Sequence, residues 1–243
     1  MTAPDAGVDL VVVPTGGLTP ELAAAIDPRL TDDERVRRDR YVREQDRHAY
    51  VIARALVRMV LSQHGPTAPA EWRFEVNAHG CPFVVDAQAG APRLCFNVSH
   101  TDGLVALAVA RGHRVGVDVE DVRRVVRHDV AGHHFAPSEV ADLRALPTGA
   151  QPRGFFEYWT LKEAYIKARG MGLAIPLHDF AFVLRPPAAP AIAFVDGFDD
   201  DASRWQFWQA WPTPDHRLGL AIERVGRDLA VRLRTLAPEA LVP

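Results

Sequence analysis

The chain has 243 residues, a formal net charge of −3, and apolar and charged fractions of 48% and 24%. That length supports one large or two small hydrophobic cores, and the composition is that of an ordinary soluble protein with no general excess of positive charge for nucleic acid. No apolar run is long enough to span a bilayer and no basic-then-apolar N-terminus suggests export, so a cytoplasmic location is expected. Cys81 and Cys95 lack metal-ligand spacing and are expected to be free thiols.

In chain order, the apolar run at residues 8–13 predicts a strand ending at Pro14. Thr31-Asp32-Asp33-Glu34 is a capping box that should open an arginine-rich helix. Val51, Ile52, Ala55, Leu56, Met59 and Val60 continue the helical spacing, and His64-Gly65-Pro66 stops it. Trp72, Phe74 and Val76 alternate as a strand, followed by a turn at Gly80-Cys81-Pro82. Residues 94–98 and 104–110 read as strands joined by a turn at Thr101-Asp102-Gly103. A second turn at residues 111–114 leads to a strand over 115–120. Beyond it come a helix over 138–146, a loop over 147–154, and a long helix over 155–169 closed by Gly170. Strands are predicted around Phe180 and Phe182, around Trp205, Phe207 and Trp211, and over 218–222. Helix followed by short strands, twice over, predicts an α+β fold of two halves. The division expected is residues 1–112, residues 113–225, and a tail over 226–243.

Lys162 and Lys167 are the only lysines among 28 basic residues, and both lie in one short segment. Lysine is a compact, mobile point charge where arginine is a planar fork, so their retention there suggests a need for the point charge.

Two constellations carry chemistry. In Gly116-Val117-Asp118-Val119-Glu120, strand alternation puts the valines on the core side and Gly116, Asp118 and Glu120 on the other. The two carboxylates then stand about 6–7 Å apart at their Cα atoms, within reach of one hard cation such as Mg²⁺. A solvated strand face would show the same pattern. In the helix, Trp159, Glu163 and Lys167 share a stripe. An exposed Glu–Lys pair is the bland reading, but the flanking aromatics make the helix apolar over most of its circumference and place the pair at a cleft edge. Asn97-Val98-Ser99-His100 can offer a hydroxyl, an imidazole and backbone N–H groups to a phosphate. Arg47 and Arg54, two turns apart in the arginine-rich helix, suit a phosphate too, although most arginines of that helix read as a solvated face.

With these motifs in this order, the chain resembles the Sfp-type 4′-phosphopantetheinyl transferases from about Thr31 to Leu177. The motifs are N-V-S-H at 97–100, G-V-D-V-E at 116–120, W-T-L-K-E-A-Y-I-K at 159–167 and G-M-G-L-A-I-P-L at 170–177. The resemblance implies two similar α+β halves related by a pseudo-twofold axis, with small antiparallel sheets packed by helices. It implies Mg²⁺-dependent transfer of 4′-phosphopantetheine from coenzyme A to a serine of an apo acyl or peptidyl carrier protein, releasing adenosine 3′,5′-bisphosphate. Asp118, Glu120 and Glu163 match the metal-binding acids, and Lys167 the lysine at the pyrophosphate. Ser99 and His100 match residues near the 3′-phosphate, while Arg47 and Arg54 lie where the first helix offers cations to the nucleotide. Glu163, or a water held by Glu120, is expected to take the serine proton. Carrier-contacting residues are expected within 128–146, and a monomer is expected. The motif gives Lys162 no assignable role. Cys81 stands where similar proteins often carry a lysine, and Tyr50 where some carry a small hydroxyl residue. A coenzyme A or nucleotide binder, or a pyrophosphohydrolase, would use the same residues.

Overall fold

The structure is a computed structural model that describes residues 7–126 and 130–243. In chain order its elements are β1 (Gly7–Pro14), α1 (Pro20–Ile26), α2 (Asp32–Arg38), α3 (Glu44–Ser62), β2 (Phe74–Val76), β3 (Pro82–Val84), α4 (Asp86–Ala89), β4 (Leu94–Thr101) and β5 (Leu104–Arg111). They continue with β6 (Val115–Asp121), α5 (Val130–His134), α6 (Pro137–Ala145), α7 (Gln151–Arg169), β7 (Phe180–Val183), β8 (Ala191–Phe194), β9 (Trp205–Thr213), β10 (His216–Glu223) and β11 (Ala230–Thr235). Residues 7–76, 82–112 and 229–243 form one compact unit, and residues 77–81 and 113–228 form a second. The α+β class, with small sheets packed by helices, is as expected.

In the first unit the sheet runs β11-β1-β5-β4. Val11 and Val13 of β1 and Val105, Leu107 and Val109 of β5 form one core with Ile52, Leu56 and Leu61 of α3. The tail expected over 226–243 is instead structural: β11 pairs in parallel with β1, with Leu10 opposite Leu233. A parallel partner needs a long crossover, and here the whole second unit lies between the two strands in sequence. The capping box at Thr31 is complete in both directions, but the helix it opens is α2 alone. The chain turns over residues 39–43 before α3 begins, so the arginine-rich stretch is two helices.

In the second unit the sheet runs β6-β10-β9, and α7 crosses it. Helix α7 starts at Gln151, inside the expected loop, because Pro152 is well placed in a first turn. It ends where expected, with Gly170 left-handed at φ 65°. Its core partners include Phe180, Phe182, Phe207 and Ala221. The expected turn at 111–114 joins no hairpin, since β5 and β6 belong to different sheets. Among the described residues no helix is long and apolar enough to cross a membrane.

The side of β6 expected to face away from the core is the one α7 packs against. A Cβ on Gly116 would lie 2.0 Å from the Ala164 carbonyl oxygen and 2.4 Å from the Ala168 nitrogen. On β10, Gly219 pairs with Asp118, and a Cβ there would lie 2.5 Å from the Thr160 carbonyl oxygen. These glycines let helix backbone approach strand backbone, so Gly116 seats the helix and does not leave open space beside the acids. Gly116→Ala is expected to cost about 2–3 kcal/mol in urea unfolding, since neither backbone segment can yield cheaply.

Candidate active site

The close approach of α7 to β6 fixes the second unit's polar cluster. Asp118 is 4% exposed. The Lys167 ammonium donates to Asp118 Oδ1 at 2.6 Å and to the Val117 carbonyl at 3.4 Å. Glu120, two residues along the same face, accepts from the Arg124 guanidinium. Glu163, one turn before Lys167, is near enough to feel both acids: burial, then the charges of Asp118 and Glu120, push its carboxyl up to about 7 against the pull of Lys167. Burial and then Asp118 raise Glu120 as well, opposed by Arg124 and Lys167. Buried carboxyls raised further by a neighbouring carboxylate mark a site short of positive charge.

The structure therefore brings together Asp118, Glu120, Glu163 and Lys167. Among the described residues, no three acidic, histidine or cysteine side chains are gathered tightly enough to ligate one ion as they stand. Lys167 holds Asp118 and Arg124 holds Glu120, so the acids are clustered but drawn to separate cations. An all-carboxylate donor set of this kind fits a hard divalent cation such as Mg²⁺.

Because the Glu163 carboxyl is raised from 4.5 to about 7, the folded protein holds a proton between those pH values that the unfolded chain has lost. Stability then falls as pH rises through that window, by about 3 kcal/mol at most and less after solvent screening. Metal-free Glu163→Gln is expected to unfold at higher temperature than the wild type at pH 8 and at nearly the same temperature at pH 4.5, read by calorimetry.

The other motif lysine has a different task. Lys162 is fully buried; its ammonium donates to the carbonyls of Leu177 and Phe180, both at 2.7 Å, and pairs with Glu139 at 2.7 Å. Glu139, on α6, also accepts the backbone N–H groups of Ala136 at 2.8 Å and Phe182 at 2.7 Å. One carboxylate and one ammonium thus tie α6 and β7 to α7. Burial lowers the ammonium to about 8 and raises the carboxyl, each opposed by its partner.

Of the first unit's expected residues, Ser99 and His100 lie within β4, opposite Ala106 and Val105, before the turn begins. Strand alternation sends their side chains to opposite faces, Ser99 buried and His100 exposed. Arg54 pairs with Glu34, the capping-box glutamate. Arg58 binds the same carboxylate with two bonds of 3.0 Å, and Glu34 is only 7% exposed. The Arg54 guanidinium is thus drawn into an internal ion cluster. Arg47 donates to the Tyr41 carbonyl at 3.2 Å and lines a groove of about 540 Å³ with Arg38, His48 and the acids Asp27, Asp39 and Glu44.

A neighbouring groove of about 550 Å³ is lined by Asp33, Val36, Arg37, Arg40 and Tyr41. The Arg37 guanidinium lies 5.9 Å from the Tyr50 ring centroid, and Tyr41 packs on Tyr50 at 5.4 Å. The break at 39–43, not expected from the arginine spacing, separates Arg37 on α2 from Arg47 and Arg54 on α3. Cys81, at the end of the 77–81 turn, lies 3.9 Å from where a Cβ on Gly170 would be, and burial pushes its thiol up. In the same turn Asn77 donates to the Gly170 carbonyl at 2.7 Å. The segment expected to contact a carrier includes residues 128 and 129, which lie outside the described residues; α5 and α6 occupy most of the rest.

Comparisons with known proteins match segments of both units. Residues 114–221 match the 4′-phosphopantetheinyl transferase superfamily, and residues 19–112 match the family described as 4′-phosphopantetheinyl transferase, N-terminal. The 4′-phosphopantetheinyl transferase HetI of Nostoc sp. is 33% identical over 181 residues, covering 71% of this chain and 75% of its own. A phosphopantetheinyl transferase of Thraustochytrium sp. is 29% identical over 244 residues, 93% of this chain and 82% of its own. The Bacillus subtilis 4′-phosphopantetheinyl transferase Sfp is 27% identical over 167 residues, 69% of this chain and 72% of its own. Matched along both units, and sharing a third of its residues with HetI over most of its length, the chain belongs to the two-domain, Sfp-type 4′-phosphopantetheinyl transferases.

Proposed function

We propose that the protein transfers 4′-phosphopantetheine from coenzyme A to a serine of an apo carrier protein, with Asp118, Glu120 and Glu163 holding Mg²⁺ and Lys167 meeting the pyrophosphate. Family membership supports the reaction, phosphopantetheinyl transfer from coenzyme A to carrier proteins. The observation that carries the residue roles is electrostatic. Burial and the charge of Asp118 raise the carboxyls of Glu120 on β6 and Glu163 on α7, and Lys167 pairs with Asp118 beside them.

In the reaction the serine oxygen attacks the β-phosphorus, the bond to the bridging oxygen breaks, and adenosine 3′,5′-bisphosphate leaves. Positioning and charge neutralisation do most of the work in such a transfer. When bound, Mg²⁺ would neutralise phosphate oxygens and the charge growing on the leaving group. Lys167, with its side chain 28% exposed, would neutralise a non-bridging oxygen. Glu163, or a water held by Glu120, would accept the serine proton. In the first unit, the anion contacts are assigned to Arg37 and Arg40 with Arg47, and Arg54 is withdrawn because Glu34 holds it. Of the Ser99–His100 pair, the exposure of His100 supports it as the ligand contact.

Intact mass spectrometry of apo carrier proteins with enzyme, coenzyme A and Mg²⁺ tests this reading. The carrier serine should gain one phosphopantetheine, and chelator should prevent the gain. Coenzyme A breakdown without any carrier mass change would point to a pyrophosphohydrolase, and binding without either would point to a non-catalytic binder.

A further inference from the structure

Glu120 is held by a cation that neither the motif nor the reaction calls for. Strand β6 ends at Asp121, whose carboxylate accepts the Arg123 backbone N–H at 2.9 Å and the Arg123 guanidinium at 2.9 and 2.8 Å. Arg123 also pairs with Asp215 at 3.3 Å. The Arg124 N–H donates to the Asp121 carbonyl at 3.2 Å, closing a turn. That turn brings the Arg124 side chain back onto Glu120, four residues earlier. The two arginines of this turn thus divide their work, Arg123 on Asp121 and Asp215, Arg124 on Glu120.

The two ends of the pair differ in environment. The Glu120 side chain is 16% exposed and that of Arg124 is 59% exposed. A solvent-facing arginine adds little to stability through such a pair and is easily displaced. Arg124 nonetheless draws the Glu120 carboxylate away from Asp118 and Glu163, which fits the finding that the three acids are clustered but not gathered around one point.

Building on the proposed metal role of these acids, we propose that Arg124 is a resident counter-ion of Glu120. It pairs with the carboxylate until a divalent cation displaces it, and the released guanidinium then turns to the anionic substrate. A guanidinium fork matches phosphate oxygens, so a residue that competes with the metal in the empty enzyme becomes a substrate contact in the loaded one.

The test is calorimetric titration of wild type, Arg124→Ala and Arg124→Lys with Mn²⁺ alone, then with coenzyme A in the presence and absence of Mg²⁺. Removing the competing charge should tighten Mn²⁺ binding by about 2–5-fold in Arg124→Ala, the equivalent of an exposed ion pair. Arg124→Lys should stay near wild type. Coenzyme A affinity of Arg124→Ala should fall several-fold with Mg²⁺ present and stay unchanged without it. General structural damage would not tighten metal binding, so the direction is diagnostic. Mn²⁺ affinity that is unchanged or weaker in Arg124→Ala overturns the inference, as does a coenzyme A affinity indifferent to the substitution when Mg²⁺ is present. Asp118→Asn, titrated alongside, separates the two levels. If it binds Mn²⁺ like the wild type, the metal assignment fails and takes the inference with it. If it loses Mn²⁺ while Arg124→Ala matches the wild type, only the inference fails.

Discussion

Asp118→Asn and Glu163→Gln are each expected to lower carrier phosphopantetheinylation by about three orders of magnitude or more, while far-UV circular dichroism stays that of the wild type. A site of this type supplies several kcal/mol of charge stabilisation in the transition state, and each 1.36 kcal/mol is about tenfold in rate. For Glu163→Gln the stability reading should run opposite to the activity. Glu163→Gln removes a carboxylate that burial and its neighbours hold near 7, so the inactive variant should be the more stable one above that pH. Gain of stability with loss of function is the mark of a residue kept for chemistry. Asp118→Asn keeps the shape but deprives Lys167 of its 2.6 Å partner; with that ammonium part-exposed, water can replace the carboxylate at modest cost. Folded variants with near-normal turnover would remove these acids from the site.

Lys162→Met is expected to have the largest effect on stability, about 3–5 kcal/mol, because it leaves Glu139 buried without its ammonium. For a chain of this length that corresponds to a fall in melting temperature of roughly 6–20 °C. Lys162→Met combined with Glu139→Gln should recover part of the loss. Recovery will be incomplete, since Glu139 also accepts two backbone N–H groups through its two oxygens and an amide presents only one acceptor. A single Lys162→Met variant as stable as the wild type would mean that the pair contributes nothing. On the expected outcome the two motif lysines separate cleanly, Lys162 through stability and Lys167 through turnover.

Elements set by local chemistry were legible in the sequence. The Thr31 capping box, the hairpin turn at Asp102-Gly103 and the left-handed cap at Gly170 each depend on a few adjacent residues, and each is found where expected. What escaped depended on distant partners. Strand β11 is largely exposed, with the pattern of a polar tail, and only its register with β1, more than two hundred residues earlier, makes it a strand. The Arg54 spacing suggested a phosphate site because nothing nearby in sequence shows Glu34 already held by Arg54 and Arg58. Gly116 suggested free space because the helix that fills it begins 35 residues later. The acids fared better: Asp118 and Glu120 share a strand face, Glu163 and Lys167 share a helix stripe, and both periodicities can be read directly. Their meeting could not be read from either period, since it depends on Gly116 and Gly219 admitting α7 to the sheet. The scarcity of lysine pointed to the right helix but conflated two roles, one in the core and one at the acid cluster.

The central claim, that Asp118, Glu120 and Glu163 together hold the divalent cation, is tested most directly by Mn²⁺ titration of wild type, Asp118→Asn, Glu120→Gln and Glu163→Gln, read by water-proton relaxation. The wild type should show saturable binding to one site, and each substitution should weaken it by more than the roughly 10-fold that loss of a supporting residue costs. Mn²⁺ binding of wild-type strength in any two of the three folded variants would contradict the assignment.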